Sequence, residues 1–367
     1  MWGQSWLVAL LLAPVNLLSA MVAPAPEWER LFRPAQGWLG GDCAYSVPLG
    51  ADRFLWLFDD TFIGRREGNR RVGVKMVRNS IALQAGRAPA TATVRFVWGK
   101  KANEEPTDFL SPPDGVGWLW FGDGLVAANR LWLFLWQFEA TNTPSPFNFR
   151  LRASWLAEVA NYADEPEEWQ FRFYRLPFFL RTPEQVRCFG NAVLVHEGWV
   201  FVYGVAEDRR TVPLKRGLTI ARVPAERLAD FSAWRFYRNG RWTDKWASAA
   251  IIGDDLGFEF TVQFVPAVCR FLLVYSPADL ASVVKIRWAS SPTGEWSKPR
   301  SVYECPQRAW HPSVFCYAAK GHAALSGEGE LLVTYASNAF EFRLLLEDAR
   351  LYFPHFVRLR FNRTTRE

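Results

Sequence analysis

The sequence is short of the side chains that usually hold metal ions, and this shortage limits its chemistry. Its 367 residues include four histidines, which are dispersed along the chain, and five cysteines, none of which forms a Cys-x-x-Cys pair. Zinc sites are normally built from closely spaced cysteine and histidine ligands. We therefore predict no metal ion and no cofactor. Cys188 and Cys269 lie in apolar, strand-like runs, so we expect both in the core, and a bridge between Cys305 and Cys316 is the less favoured alternative to free thiols.

Signatures of several enzyme classes are also missing. The chain has no glycine-rich dinucleotide loop after a strand, no P-loop, no His-Glu-x-x-His pair and no Gly-x-Ser-x-Gly elbow. It lacks the arginine triad pattern and the Ser-x-Asp-x-Gly-x-x-Trp repeats of sialidases. A lyase or sialidase-like activity is therefore a weak hypothesis. Convincing amphipathic helices are equally rare, so we expect a fold built from strands.

An apolar run near the N-terminus is typical of an export signal. The run covers Trp6 to Leu18, and small residues and a stretch rich in proline and alanine follow it as far as Pro26. It is too short to span a bilayer comfortably. We predict that residues 1–25 are a signal peptide or, second, an N-terminal anchor. The mature chain would then have no stable membrane span and would be secreted, periplasmic or bound at the cell surface.

The rest of the chain is hydrophobic and aromatic, and its charge is evenly spread. Hydrophobic residues make up 50% of the sequence, aromatic residues make up 16%, and 19 residues are tryptophan. Aromatic side chains favour half-buried strands, so sheet packing accounts for most of them. The formal net charge of +6 comes from scattered lysines and arginines. Because nucleic-acid sites need clustered basic residues, we predict no nucleic-acid partner.

A pair of strands recurs five times along the chain. In each copy a polar or glycine-bearing segment leads into one strand, a turn follows, and the second strand is strongly apolar, with roughly 60 to 76 residues between copies. This repetition predicts an all-β chain folded as a single five-bladed β-propeller over residues 26–367, with a funnel-shaped central site. The alternating segment Phe356 to Phe361 would pair with N-terminal sequence and close the ring. Two β-sandwich domains are the alternative, but nothing in the sequence resembles a linker.

The segments that begin the five copies would bring polar side chains together in the funnel. Aligned on one another, they carry Asp42, Asp123, Asn191, Glu259 and His322. Paired carboxylates in such a pocket suit the cleavage of a glycosidic bond, in which one carboxylic acid protonates the leaving oxygen and the other carboxylate activates water or attacks carbon. Asp60, at the far end of the first hairpin's second strand, would join this group only if a loop curls over.

The first hairpin resembles a known family. Its residues GGDCAYSVPLG, followed by FLWLFDDTFIG and then VRNSIAL, are similar to those of secreted five-bladed propellers long catalogued as of unknown function, which include endo-acting D-arabinanases. Looser matches occur in the other four copies. The family pattern has glycine where this chain has Cys43 and Asp59, so a third carboxylate enters the site and would raise the pKa of a neighbour.

The resemblance implies that Asp42 and Asp60 are the catalytic carboxylates, with Asp59 as the rival of Asp60. The residues expected to bind substrate are Tyr45, Arg78, Asn79, Asp123, Asn191, Glu259, Tyr317, Lys320 and His322.

The function expected from these features is an exported glycoside hydrolase. It would resemble endo-D-arabinanases, would cleave a furanose-containing cell-wall polysaccharide such as arabinan, and would act as a monomer. The alternative is a propeller that binds carbohydrate without cleaving it.

Overall fold

The computed structural model describes residues 21–142 and 148–361. The predicted signal peptide therefore lies almost entirely outside the described residues. The strands of the first half are β1 (Met21–Pro24), β2 (Gln36–Gly50), β3 (Arg53–Glu67), β4 (Arg70–Val77), β5 (Ser80–Ala85), β6 (Thr93–Val97), β7 (Gly99–Lys100), β8 (Pro106–Thr107), β9 (Trp118–Ala127), β10 (Arg130–Ala140), β11 (Phe149–Val159) and β12 (Phe171–Arg175).

Strands also dominate the second half of the chain. They are β13 (Leu180–Arg181), β14 (Gln185–His196), β15 (Trp199–Asp208), β16 (Lys215–Pro224), β17 (Arg235–Arg238), β18 (Arg241–Thr243), β19 (Leu256–Val265), β20 (Arg270–Pro277), β21 (Val283–Ala289), β22 (Arg300–Glu304), β23 (Val314–Gly321), β24 (Glu330–Ala339) and β25 (Pro354–Arg360). The described α-helices are short, α1 (Pro26–Glu29) and α2 (Phe342–Glu347). Neither has the length and hydropathy needed to cross a membrane.

Five antiparallel sheets form the blades, which confirms the predicted propeller. Blades 1 to 4 have the strand orders β2-β3-β5-β6, β9-β10-β11-β12, β14-β15-β16-β17 and β19-β20-β21-β22. Blade 5 has the order β23-β24-β25-β1, so its outermost strand comes from the N-terminal end of the described chain. This pairing confirms the predicted ring closure. It also places Met21–Pro24 in the propeller, before the predicted domain boundary at residue 26.

The innermost strands of neighbouring blades contact one another around the ring. Contacts run from β2 to β9, β14, β19 and β23 in turn, and β23 returns to β2. Hydrophobic side chains fill the spaces between blades. For example, Trp56 of blade 1 is fully buried, with its ring 5.9 Å from that of Phe356 in blade 5. Such inter-blade packing uses many of the aromatic residues and gives the fold its stability.

The cysteines follow the sequence predictions only in part. All five carry free thiols, and Cys188 is buried as expected. Cys269 is exposed, so its predicted place in the core is wrong. It ends a short 3-10 turn with a left-handed φ of 47°, and the apolar run begins only after it. Cys305 and Cys316 lie in one core cluster with free thiols. The bridge between them that the sequence left open is therefore not formed.

Arg71 fastens blade 5 onto blade 1. Its side chain is buried, and its guanidinium group donates hydrogen bonds to the carbonyl oxygens of Leu39, at 3.0 and 3.1 Å, and Leu351, at 2.5 Å, and also to that of Leu345. These acceptors belong to β2 and to the segment that joins β24 to β25. One side chain thus orders the long connection between β24 and β25.

Arg71→Met should destabilise the protein by about 2 kcal/mol, because several buried carbonyl oxygens lose their donors. Urea denaturation followed by tryptophan fluorescence would measure the loss. Arg70→Met is the matched control, since Arg70 is exposed and surface substitutions usually change stability by less than about 0.5 kcal/mol. Equal stability of the two variants would contradict the role given to Arg71.

Candidate active site

A bulge in the first hairpin brings three aspartates together. Ala51 and Asp52, with left-handed φ values of 48° and 57°, form the two-residue turn that sets the register of β2 and β3. Gly41 pairs with Thr61, and Cys43 pairs with Phe58. Asp42, which lies between Gly41 and Cys43, therefore faces Asp59 and Asp60, the two residues between Phe58 and Thr61. The expectation that Asp60 needs a curling loop is wrong, because β3 is continuous and the bulge already places Asp60 opposite Asp42.

Asp42 is a half-buried carboxylate with one free oxygen. The hydroxyl of Tyr317 donates a hydrogen bond to its Oδ2, and its Oδ1 is buried without a partner among the described residues. Burial and the nearby charges of Glu259 and Asp60 raise the pKa of Asp42 well above its usual value. The hydrogen bond from Tyr317 and the charge of Lys320 oppose that shift.

Asp60 has a different environment, with cationic and neutral donors around it. Nη1 of Arg78 lies 3.2 Å from both of its carboxylate oxygens, and the indole nitrogen of Trp120 donates to Oδ1 at 3.1 Å. Burial raises its pKa, while Arg78 and Trp120 favour the ionised form. The side chain is still 18% exposed, so substrate can reach it.

Asp59 points to the interior of the channel. Its side chain is 5% exposed, and its Oδ1 accepts a hydrogen bond from the backbone N–H of Phe121 at 2.6 Å. Burial, together with the charges of Glu259 and Asp42, raises its pKa well above the usual value. The structure therefore separates the two rivals for the second carboxylate into a buried one and an accessible one.

Five polar side chains, one from each blade, form a layer beside these aspartates. They are Tyr45, Asp123, Asn191, Glu259 and Lys320. Tyr45 donates to the carbonyl of Asn191 at 2.6 Å, and the Asn191 amide donates to the carbonyl of Phe258 at 2.7 Å. Asp123 accepts from the backbone N–H of Val193 at 2.9 Å. These bonds tie the inner strands to one another, which is a structural role for predicted site residues.

Lys320 supplies the positive charge of this layer. Its side chain is fully buried, and its ammonium nitrogen lies 3.5 Å from Oε1 of Glu259 and 4.4 Å from the centre of the Tyr45 ring. It also donates to the carbonyl of Ala318 at 3.1 Å. A buried ammonium group needs such partners, and here they come from blades 1, 4 and 5.

Two predicted site residues are not brought into the carboxylate cluster. His322 is buried, its ring nitrogens bond the hydroxyls of Ser46 at 2.7 Å and Thr334 at 2.8 Å, and burial lowers its pKa to about 3. The amide group of Asn79 bonds the backbone of Leu110 and Leu119. Both side chains use their polar groups internally, so the structure leaves neither of them free to hold a sugar hydroxyl.

Other residues at the cluster escaped the sequence analysis. The hydroxyl of Tyr352 donates to the backbone carbonyl of Asp60 at 3.0 Å, and the amide of Asn338 donates to the hydroxyl of Tyr317 at 3.2 Å. Trp120 bonds Asp60 directly. Tyr352 and Asn338 come from blade 5 and its connection, far from the first hairpin in sequence, so no local pattern marks them.

Cys43, Asp59 and Glu259 form a group whose possible ligand atoms all lie within 4.8 Å of one another. Asp59 already accepts a bond from Phe121, and the ammonium group of Lys320 lies beside Glu259. These partners supply the donors and the positive charge that the carboxylates need. The absence of a metal site thus stays a prediction from the sequence.

Comparisons with known proteins place this geometry in context. A family model described as a domain of unknown function (DUF5005) matches residues 26–362. A structure from Bacteroides ovatus ATCC 8483, of a protein with a suggested hydrolase function, aligns with a TM-score of 0.72 and 18% identity over 92% of this chain and 90% of that chain. The GH43_1 enzyme from Xanthomonas citri in complex with xylotriose aligns with a TM-score of 0.50 and 14% identity over 90% and 92% of the two chains. At such identities the structures establish a shared fold, and no curated protein sequence matches significantly.

The stability of the wild type relative to Asp123→Asn should fall as the pH rises from about 4 to about 7, by roughly 1 kcal/mol per pH unit. Burial raises the pKa of Asp123 from 3.8 to about 7, so between these values the folded state keeps a proton that the unfolded chain has released. Denaturation at several pH values would measure the difference, and Asp244→Asn at an exposed site is the control. A pH-independent difference for Asp123→Asn would contradict the assignment.

Proposed function

The chain belongs to the DUF5005 family, and from this premise we propose that it is a glycoside hydrolase acting on a furanose-containing polysaccharide. The observation that carries the proposal is the pair formed by Asp42 and Asp60. In the hairpin register Asp42 lies across from Asp60, the charge of Asp60 acts on Asp42, and the surroundings of the two carboxyl groups differ in charge. Two carboxyl groups with different proton affinities are what glycosidic hydrolysis requires.

Asp42 is the general acid in this proposal. Burial and two neighbouring carboxylates favour its protonated form, and its unpartnered Oδ1 can carry the proton. Protonating the glycosidic oxygen makes the leaving group neutral, so the bond to the anomeric carbon breaks more easily. Tyr317 holds the other oxygen and orients the carboxyl group.

Asp60 is the base or nucleophile. Arg78 and Trp120 donate to its oxygens and favour its ionised form, while its exposure lets it meet water or the anomeric carbon. Arg78 is itself held by its neighbours, because its guanidinium carbon lies 4.3 Å from the centre of the Trp118 ring. Asp59, which is buried and bonded to Phe121, has no such access.

The substrate assignment rests on the resemblance of the first hairpin to a family that includes endo-D-arabinanases. Arabinan is therefore the first polysaccharide to test. Export belongs to the same proposal, because a cell-wall polysaccharide lies outside the cytoplasm. It rests on the apolar run within residues 1–20, outside the described residues.

Asp42→Asn and Asp60→Asn should each lower the rate of arabinan hydrolysis at least about a hundredfold, because each removes a proton-transfer or nucleophilic group. Release of reducing ends measures the rate, and circular dichroism checks the fold. The control is Asp52→Asn, which changes an exposed aspartate at the turn of the same hairpin.

Full activity in either variant would contradict the catalytic assignment. If the wild type binds arabinan but releases no reducing ends, the propeller binds carbohydrate without cleaving it.

Tyr317→Phe should shift the basic limb of the pH dependence of kcat/KM to higher pH. The Tyr317 hydroxyl stabilises the Asp42 carboxylate, so its loss raises the pKa of Asp42 and keeps the acid protonated further up the pH scale. Rates across a pH series would measure the shift. Tyr237→Phe in blade 3 is the control, and an unshifted basic limb in Tyr317→Phe would argue against Asp42 as the acid.

A further inference from the structure

An exposed aromatic ring lies in blade 5, directly after β24. Phe340 follows β24 and its side chain is 55% exposed, an unusual state for a large apolar group. Its ring centre lies 4.6 Å from that of Phe315 in β23, with the two planes tilted by 32°. One side of the Phe340 ring thus rests on the blade while much of its surface meets solvent.

The backbone holds this ring in place. The N–H of Phe340 donates to the carbonyl of Ser313 at 3.0 Å, and the neighbouring Glu341 accepts a hydrogen bond from the Ser313 hydroxyl. Both contacts join the end of β24 to the start of β23. An exposed ring fixed in this way loses little conformational freedom when it binds a ligand.

A continuous series of contacts leads from Phe340 to the carboxylates. The Phe315 ring centre lies 5.5 Å from that of Tyr317, and the Tyr317 hydroxyl bonds Asp42. Asn338, two residues before Phe340, donates to the same hydroxyl. The exposed ring therefore belongs to the same side of the funnel as Asp42.

We propose that Phe340 is the outer platform of a sugar-binding subsite on blade 5, which binds a residue of the polysaccharide away from the bond that is cut. The inference rests on the proposed function and deepens it by naming where the chain of the substrate runs. The C–H groups of one face of a furanose ring pack on an aromatic face, and the sugar hydroxyls stay in water at the rim.

The geometry also favours a polymer over a single sugar. Two aromatic rings, Phe315 and Tyr317, stand in the series of contacts between Phe340 and Asp42, so we place the platform more than one sugar ring away from the catalytic acid. A chain of several sugars can contact both. Binding energy from the platform would then be available to long substrates and largely lost to short ones.

Phe340→Ala should lower kcat/KM for debranched arabinan relative to that for arabinotriose by about tenfold, mainly through KM, because one aromatic contact is lost. Phe340→Trp should restore the ratio. Phe342→Ala is the matched control: Phe342 is 52% exposed on the same connection, but its ring packs on Phe62, 5.7 Å away, and not on Phe315. That variant should keep the wild-type ratio.

Affinity electrophoresis in gels containing arabinan gives a second readout that needs no turnover. Weaker retardation of Phe340→Ala than of Phe342→Ala supports the platform, even if the wild type releases no reducing ends and the hydrolase proposal fails. If the wild type cleaves arabinan while Phe340→Ala matches it in both the kinetic ratio and retardation, the platform is overturned and the proposed function stands.

Discussion

The site depends on like charges forced into one small space. The register of a single hairpin places Asp42, Asp59 and Asp60 together, and Glu259 approaches them from blade 4. In water such a cluster would separate, but here β2 and β19 belong to the closed ring of inner strands and β3 is paired with β2, so the strands cannot move apart. The protein lowers the cost with two cations, since Arg78 bonds Asp60 and the buried Lys320 lies beside Glu259. Burial, together with the remaining repulsion, raises the pKa values of these aspartates, which is the property that acid catalysis needs.

Backbone strain at the bulge fits the same picture. Cys43 and Ala44 have left-handed φ values of 71° and 58°, although neither is glycine and both lie within a strand. Residues in this region are uncommon and cost free energy, so the surroundings must hold them. Here the hydrogen bond from Tyr45 to blade 3 and the hairpin turn fix the chain on one side of the bulge. The bulge is therefore held by a contact with another blade as well as by its own hairpin.

The sequence predicted the fold better than the site, for a physical reason. Alternating and apolar runs report burial, which repeats in every blade, so five strand pairs and the closing strand could be recognised. The site depends on the direction in which individual side chains point, and a strand bulge changes that direction. His322 lies in one of the five aligned segments, but its ring bonds the Thr334 hydroxyl. Asn79 lies in the motif that follows the first hairpin, but its amide bonds backbone atoms. Tyr352 reaches the site because Arg71 orders its connection, and no local pattern records a contact across so many residues.

The choice between Asp59 and Asp60 follows from their surroundings and not from their spacing. Adjacent residues in a strand point to opposite faces, so one of them had to face the interior. Asp59 does so, and the hydrogen bond from the Phe121 N–H holds its side chain there. Asp59 is still linked to the site, because the charge of Asp42 raises the pKa of Asp59 and the two carboxyl groups do not lose their protons independently. In the proposed mechanism Asp59 therefore tunes the acid, while Asp60 meets the substrate.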